Sequence, residues 1–210
     1  MENPAPAEAP DVAQVLKVNY LMLARLLASR LLLAVFLAAI PVTLGRLGIV
    51  DSPFPWVLAV AGMGVLIFTV YRALYGIRVV QCARVLRHYP LEFRPRVVRK
   101  GERWTTYGDV FEVRVTTRGQ HGAPLMLAVP AAGRRRWPGG TEEGVWVAGD
   151  LPFGGVMVLP GSKAMLFMKP AHWEKTAARR EQADAERTAL AQRARLTDRT
   201  KNAVMMRPGA

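Results

Sequence analysis

LLLAVFLAAIPVTL (residues 31–44) and WVLAVAGMGVLIFTVY (residues 56–71) are two apolar runs separated by one short connection. Neither contains an Asp, Glu, Lys or Arg. A bilayer core about 30 Å thick takes roughly 20 residues of helix to cross. The second run reaches that length if it extends to about residue 75, with Arg72 snorkelling to the headgroups. The first reaches it by extending at either end, which places Arg30 or Arg46 at an interface. The pair predicts a helical hairpin with spans at about 28–47 and 55–75, bent at Pro41 because proline removes a backbone donor and crowds the preceding turn. A soluble all-α core hairpin is the alternative. A cleaved signal peptide is rejected: some thirty residues precede the first run, three of them acidic, and no small-residue cleavage site follows it.

Basic residues in the flanks set the expected orientation. Lys17, Arg25 and Arg30 precede the first run, and Arg72, Arg78, Arg84 and Arg87 follow the second. The connection has only Arg46, opposed by Asp51. Lys and Arg resist translocation, so both termini are expected in the cytoplasm, on a multi-pass protein of the cell membrane.

The chain has 210 residues and a formal charge of +13. Arginine outnumbers lysine 23 to 6, a bias that a GC-rich genome imposes, so part of the positive charge is compositional. The single cysteine, Cys82, excludes an internal disulfide and fits a reducing compartment. Residues 1–10, rich in Pro and Ala, are expected to be disordered. Residues 11–87 are expected to hold a juxtamembrane helix and the hairpin. That helix, with Asp11 as its cap, either lies in the headgroup plane or runs directly into the first span.

After His88-Tyr89-Pro90 the apolar period changes from 3.6 to 2. Phe111, Val113 and Val115 alternate with Glu112, Arg114 and Thr116. Further strands are predicted at 91–98, 125–129, 144–148, 155–159 and 164–168, with Gly/Pro turn clusters between them. Residues 89–170 thus read as a small antiparallel β barrel or rolled sheet, giving an α+β membrane protein. Trp104, Tyr107, Phe111, Trp146, Phe153 and Phe167 are the expected core and end plugs. Residues 171–210 form a tail, its Ala-, Arg-, Glu- and Gln-rich part (171–199) favouring a charged helix, expected as a solvated helix or a partly disordered tail.

No constellation suggests catalysis. His88, His121 and His172 are scattered, without partners at metal-ligand spacing. No serine nucleophile elbow occurs, and Pro160-Gly161-Ser162-Lys163 lacks the upstream glycine of a phosphate-cradling loop. No cofactor is expected. The charged candidates are Arg94, Arg96, Arg99, Lys100 and Arg103, with Arg134, Arg135 and Arg136. On a domain tethered to a bilayer they suit anionic lipid headgroups. Nucleic-acid binding is the less favoured alternative, since basic residues among aromatics can also grip a phosphate backbone.

Gly144-Val145-Trp146-Val147-Ala148-Gly149-Asp150, followed by Phe153-Gly154-Gly155-Val156 and Pro160-Gly161, resembles a pattern in uncharacterised membrane proteins of high-GC Gram-positive bacteria that join two spans to a small β domain. In layout the chain is also similar to membrane-anchored OB-domain proteins of the NfeD type. The resemblance implies the architecture and no activity. The expectation is a non-enzymatic membrane protein whose cytoplasmic β domain serves as an interaction or scaffold module for a protein partner; an enzyme with an unrecognised site is the rival.

Overall fold

The computed structural model describes residues 8–48, 55–73, 75–105, 108–116, 123–132, 137–141 and 144–197, with backbone alone at 55, 75, 103–105 and 108. Two long apolar helices near the N-terminus precede an antiparallel half-barrel.

Helix α1 (Val12–Arg46) is a single element of 35 residues, about 52 Å at 1.5 Å per residue. It starts where expected: Asp11 Oδ1 accepts from the Ala13 amide at 2.9 Å, filling one of the open donors of the first turn. It continues through Pro41 as one helix. The segment before the first run does not turn aside; it is the first half of the same helix. Helix α2 (Pro55–Ala73) returns beside it, and α3 (Tyr75–His88) extends the chain beyond.

The α1 and α2 backbones meet at Gly62. A Cβ there would stand 3.0 Å from the Ala34 carbonyl oxygen and 3.2 Å from the Leu37 Cβ. A small residue at a helix crossing lets backbones approach closely, which is how helices associate without a hydrophobic drive between them. Hydroxyls on both helices are satisfied by their own backbone, Thr43 on Ala39 (2.7 Å) and Thr69 on Val65 (2.7 Å). Leu32, Phe36, Val60 and Val70 are exposed. The most apolar windows of Val12–Arg46 and Trp56–His88 are 11 % and 12 % buried within the molecule. Both stretches are long and apolar enough to cross a membrane.

The sheet has seven strands: β1 (Glu92–Arg94), β2 (Val97–Thr105), β3 (Gly108–Val115), β4 (Leu125–Pro130), β5 (Val145–Asp150), β6 (Gly154–Val158) and β7 (Met165–Pro170). Their spatial order is β1-β5-β6-β7-β4-β3-β2, all neighbours antiparallel. The strand expected at 91–98 is therefore two strands on opposite edges of the sheet. Pro95 explains the break, because it has no N–H to continue a ladder. Only Pro95 and Arg96 separate β1 from β2, so the sheet must curl until its two edges nearly meet.

Alternation along the strands gives the sheet two apolar faces. Phe111, Val113, Val115, Met126, Val145, Val147, Met157 and Leu166 fill the inside of the curl. The outer face, with Val129, Ala148, Val156, Val158, Met165 and Phe167, packs with Val15 and Leu23 of α1 and Val79, Cys82, Val85 and Leu86 of α3. Of the expected core aromatics, Phe111 lies inside the curl, whereas Phe153 and Phe167 lie in the outer layer under the helices. Trp146 is half-buried there against Phe93, ring centroids 5.4 Å apart. The Trp104 side chain and Tyr107 lie outside the described residues.

One polar contact fixes α1 to the sheet. Asn19, 2 % exposed, donates from Nδ2 to the carbonyls of Val15 and Lys163, each at 2.8 Å. Lys163 sits in the β6–β7 turn at φ 50°, a left-handed conformation unusual outside glycine. Pro160–Lys163 thus serves as a docking point for α1.

The charged helix expected over 171–199 is replaced by shorter pieces: a 3-10 turn (Glu174–Thr176), α4 (Ala177–Glu181) and α5 (Ala185–Arg193). The chain changes direction between α4 and α5 so that Ala191, Ala194 and Leu196 can be buried against the outer face. Residues 1–7 of the segment expected to be disordered (1–10), and residues 198–210 of the tail, lie outside the described residues.

Two measurements check this packing. Asn19→Ala leaves the Lys163 carbonyl without its donor and is expected to cost about 1–3 kcal/mol in denaturant unfolding of detergent-solubilised protein. Cys82 is fully buried between α3 and the sheet, so a maleimide reagent is expected to label it only after denaturation.

Candidate functional site

The expected basic surface is divided by the strand pleat. In an antiparallel pair, residues opposite one another share a face. Arg94 faces Val145 and Glu92 faces Val147, both interior positions, so this ion pair (2.5 Å) turns toward the inside of the curl at the β1 edge. Arg99 faces Val113 and Glu102 faces Phe111, so their ion pair turns inward at the β2 edge. The one-residue slip between Arg99 and Gly101 places Lys100 on a bulge and keeps Arg99 and Glu102 on one face. Arg96 and Lys100 are exposed. Of the four whose side chains are described, Arg94 and Arg99 have carboxylate partners on the interior side, and Arg96 and Lys100 stand apart from them. The Arg103 side chain and Arg134, Arg135 and Arg136 lie outside the described residues.

The two inward ion pairs flank the seam where the curl fails to close. Arg99 also lies 5.3 Å from the Phe111 ring centroid and 6.0 Å from that of Trp137, within cation–π range. Trp137 meets Phe111 edge-on at 5.0 Å, and its Nε1 donates to Thr141 Oγ1 at 3.1 Å. Trp137 is thus a plug over the mouth of the curl. In the sequence it stands beside Arg134–Arg136 and reads as part of a basic stretch. No local signal marks it as core, because its contact partner is a strand 26 residues away.

A second cluster binds the C-terminal segment to the sheet. Arg187 of α5 clasps Asp150 at the end of β5, Nε to Oδ2 at 3.1 Å and Nη2 to Oδ1 at 2.9 Å. Bidentate geometry of this kind is the strong form of the Arg–carboxylate pair. The Asp150 carbonyl also accepts from the Phe153 amide at 2.8 Å, closing the β5–β6 turn. Beyond that turn Gly149 and Gly155 are cross-strand partners, and a Cβ on Gly149 would stand 2.5 Å from the Gly155 Cα. The Gly-Asp and Gly-Gly steps therefore serve a close strand approach and an anchor for α5. Arg180 donates to the Trp173 carbonyl (2.9 Å) and covers the Trp173 ring at 3.8 Å. Buried Lys169 bonds the Leu196 carbonyl.

Tyr89, just after α3, faces the Asp150–Arg187 pair. Its hydroxyl is buried with no hydrogen-bond partner among the described residues. Burial, then the nearby Asp150 carboxylate, push its pKa up from 10.0 to about 12, against a smaller opposing pull from Arg187. The Arg187 guanidinium is raised by its hydrogen bond to Asp150. Among the described residues no group of three or more His, Cys, Asp or Glu is placed to hold a metal ion. A groove of about 300 Å³ lies between the start of α1 and the β6–β7 turn, lined by Glu8, Asp11, Gln14, Pro160 and Lys163. The Arg187–Asp150 and Lys169–Leu196 contacts hold the C-terminal segment on the sheet.

Tyr89 supplies a pH test with a defined sign. A phenol that binds its proton more tightly when folded stabilises the folded state fully below its unfolded pKa and loses that contribution as pH rises through the folded one. Ultraviolet titration is expected to show one tyrosine ionising near pH 12, and Asp150→Asn is expected to lower that value. Tyr89→Phe removes a buried hydroxyl that lacks a partner, so unfolding free energy is expected to stay level or rise by up to about 1 kcal/mol.

Comparison of the chain with protein-family models, with curated proteins and with solved structures finds no match in any of the three.

Proposed function

We propose that this is a non-enzymatic integral membrane protein that holds a small β domain at the cytoplasmic face of the cell membrane as an interaction module for a protein partner. The observation that carries the reading is the continuity of α1. Its second half joins α2 in a hairpin whose apolar side chains are exposed, and its first half is packed and hydrogen-bonded onto the sheet. A domain fixed in this way presents the same surface at a set height above the bilayer, which is what a scaffold needs.

The charge pattern supports the orientation. Helices α1, α2 and α3 contain no Asp or Glu, and their basic residues, Arg46 apart, lie toward the β-domain end: Lys17, Arg25, Arg30, Arg72, Arg78, Arg84 and Arg87. Cationic flanks favour the cytoplasmic side. The pairing of Arg94 and Arg99 with glutamates leaves less free charge on the β domain for nucleic acid, so a partner protein is the better-supported ligand.

Reporter fusions at residues 50 and 210 test the topology; an exported reporter at the C-terminus would invert it and move the β domain outside the cell. Co-purification from native membranes tests the scaffold reading, with a stoichiometric protein partner as the expected result. Its absence after gentle solubilisation would count against the reading.

A further inference from the structure

We propose that the outer face of β5, β6 and β7 carries the partner-docking slot of the β domain, and that the C-terminal segment at residues 184–197 is an intramolecular occupant which a partner helix of the same chemistry displaces. The proposal rests on the interaction-module reading above and deepens it by naming the surface and what it takes.

Strand register builds the slot. Asp150 and Gly154 are cross-strand partners on β5 and β6. Gly155 pairs with Met168 of β7, so the next step of the same ladder sets Gly154 beside Lys169. An acid, a residue without a side chain and a base thus stand in one row across three strands. Residues opposite one another share a face, and here it is the outer one, because Ala148 and Phe167 lie two positions from Asp150 and Lys169 and belong to the outer layer. Gly154 has φ +127°, and a Cβ there would stand 2.7 Å from the Met168 carbonyl oxygen and 3.1 Å from Lys169 Cδ. The backbone itself therefore keeps a gap open between the two charges.

One segment meets all three positions. Arg187 clasps Asp150, Leu196 Cδ2 reaches to 3.5 Å from where a Gly154 Cβ would stand, and the Leu196 carbonyl accepts from Lys169 Nζ. Leu196 is fully buried there, and Lys169 is 5 % exposed. The slot thus reads a guanidinium, an aliphatic side chain nine residues further on, and the main-chain carbonyl at that same point.

The segment sits in the slot as a ligand does. Among the described residues none of its backbone–backbone hydrogen bonds reaches the sheet: the amides of Thr188, Ala194, Arg195 and Leu196 donate to the carbonyls of Asp184, Leu190, Gln192 and Ala191. Asp184 caps α5 from its own side, its Oδ1 accepting from the Arg187 amide at 2.7 Å. Between residues 184 and 197 only Ala191, Ala194 and Leu196 are buried, whereas every residue of β6 and β7 is. A segment with few buried side chains and no shared ladder opens at lower free energy than the sheet beneath it. The outer face it covers is apolar, however, and has to stay covered. Exchange for another helix meets both conditions. The present occupant also leaves one polar group unused: Tyr89 Oη, buried beside the Asp150–Arg187 clasp, has no hydrogen-bond partner among the described residues.

The test measures, by fluorescence anisotropy, binding of a labelled synthetic peptide of residues 182–197 to the full chain in phosphatidylcholine nanodiscs. The wild-type chain, its slot held by the tethered segment, is expected to bind weakly. Arg187→Gln loosens that segment and leaves the slot intact, so the peptide is expected to bind about tenfold more tightly. Adding Asp150→Asn removes the clasp for the peptide as well and is expected to reverse the gain. A peptide with Leu196→Ala is expected to bind the Arg187→Gln chain about tenfold more weakly. Equal binding by wild type and Arg187→Gln, or no reversal by Asp150→Asn, overturns the slot. Protection of Cys82 from maleimide shows that each chain is folded. Should a variant lose it, hydrogen exchange on the wild-type chain decides. The α5 amides are expected to exchange about tenfold faster than those of β6 and β7, and exchange in step with the sheet overturns displacement.

Co-purification separates the two levels of argument. A protein partner that the wild-type chain recovers and the peptide releases supports the slot. A partner held equally by the Asp150→Asn chain leaves the interaction reading standing and overturns the slot. No partner at all, with peptide exchange intact, fails the interaction reading and the docked partner with it. A dimer of this chain that the peptide splits assigns the slot to a second copy and overturns a foreign partner.

Discussion

Everything else in the molecule depends on the outer face of β5, β6 and β7 being covered by helices that also belong to the apolar hairpin. Val15 and Leu23 of α1 and Val79, Val85 and Leu86 of α3 share one buried cluster with Val156, Val158 and Phe167 of the sheet. Burying a side chain of this size contributes about 1.5–3 kcal/mol, so the joint between hairpin and sheet is a core and not a tether. The sheet needs it as much as the helices do. A curl with apolar residues on both faces cannot leave the outer one in water.

The same constraint explains the C-terminal segment. The helices from the hairpin leave part of the outer face open, and α5 with the residues just after it closes it with Ala191, Ala194 and Leu196. Three ties hold the C-terminal segment there: Lys169 on the Leu196 carbonyl, Arg180 on the Pro152 carbonyl, and Arg187 on Asp150. The edges of the curl are managed differently. Edge strands offer unpaired backbone groups to other chains, and inward-pointing charge is a known defence. Glu92–Arg94 on β1 and Arg99–Glu102 on β2 place such charge on the interior side of both edges.

The apolar runs and most strands were legible because their signals are local: continuous apolarity for the helices, alternation at Phe111–Val115 for β3. The division of 91–98 was harder to see, because one proline inside an apolar and charged run reads as a strand irregularity and not as a move across the whole sheet. The C-terminal segment read as solvated because its buried residues are mostly alanine, whose burial depends on a surface elsewhere in the chain. Charge was visible and its direction was not. Arg94 and Arg96 differ by two positions yet differ in environment, since Pro95 and the change of edge intervene. The role of Asp150 required Arg187, 37 residues on, and Asn19 required a carbonyl 144 residues away. No spacing rule reaches that far.

The continuity of α1 has a consequence for how such a chain can change its length. Residues 28–30 join the half of the helix seated on the sheet to the half that crosses Gly62. An extra residue there would turn one half against the other by about 100° and advance it about 1.5 Å. The Asn19 clasp and the Gly62 crossing would then be out of phase, and only one could be kept. Seven residues, close to two full turns, come near to restoring the azimuth of both. Insertions and deletions in this short stretch are thus quantised by the helical repeat, whereas the connection between α1 and α2 is under no such rule. The pitch of one helix acts as the gauge that sets the azimuth of the β domain relative to the hairpin.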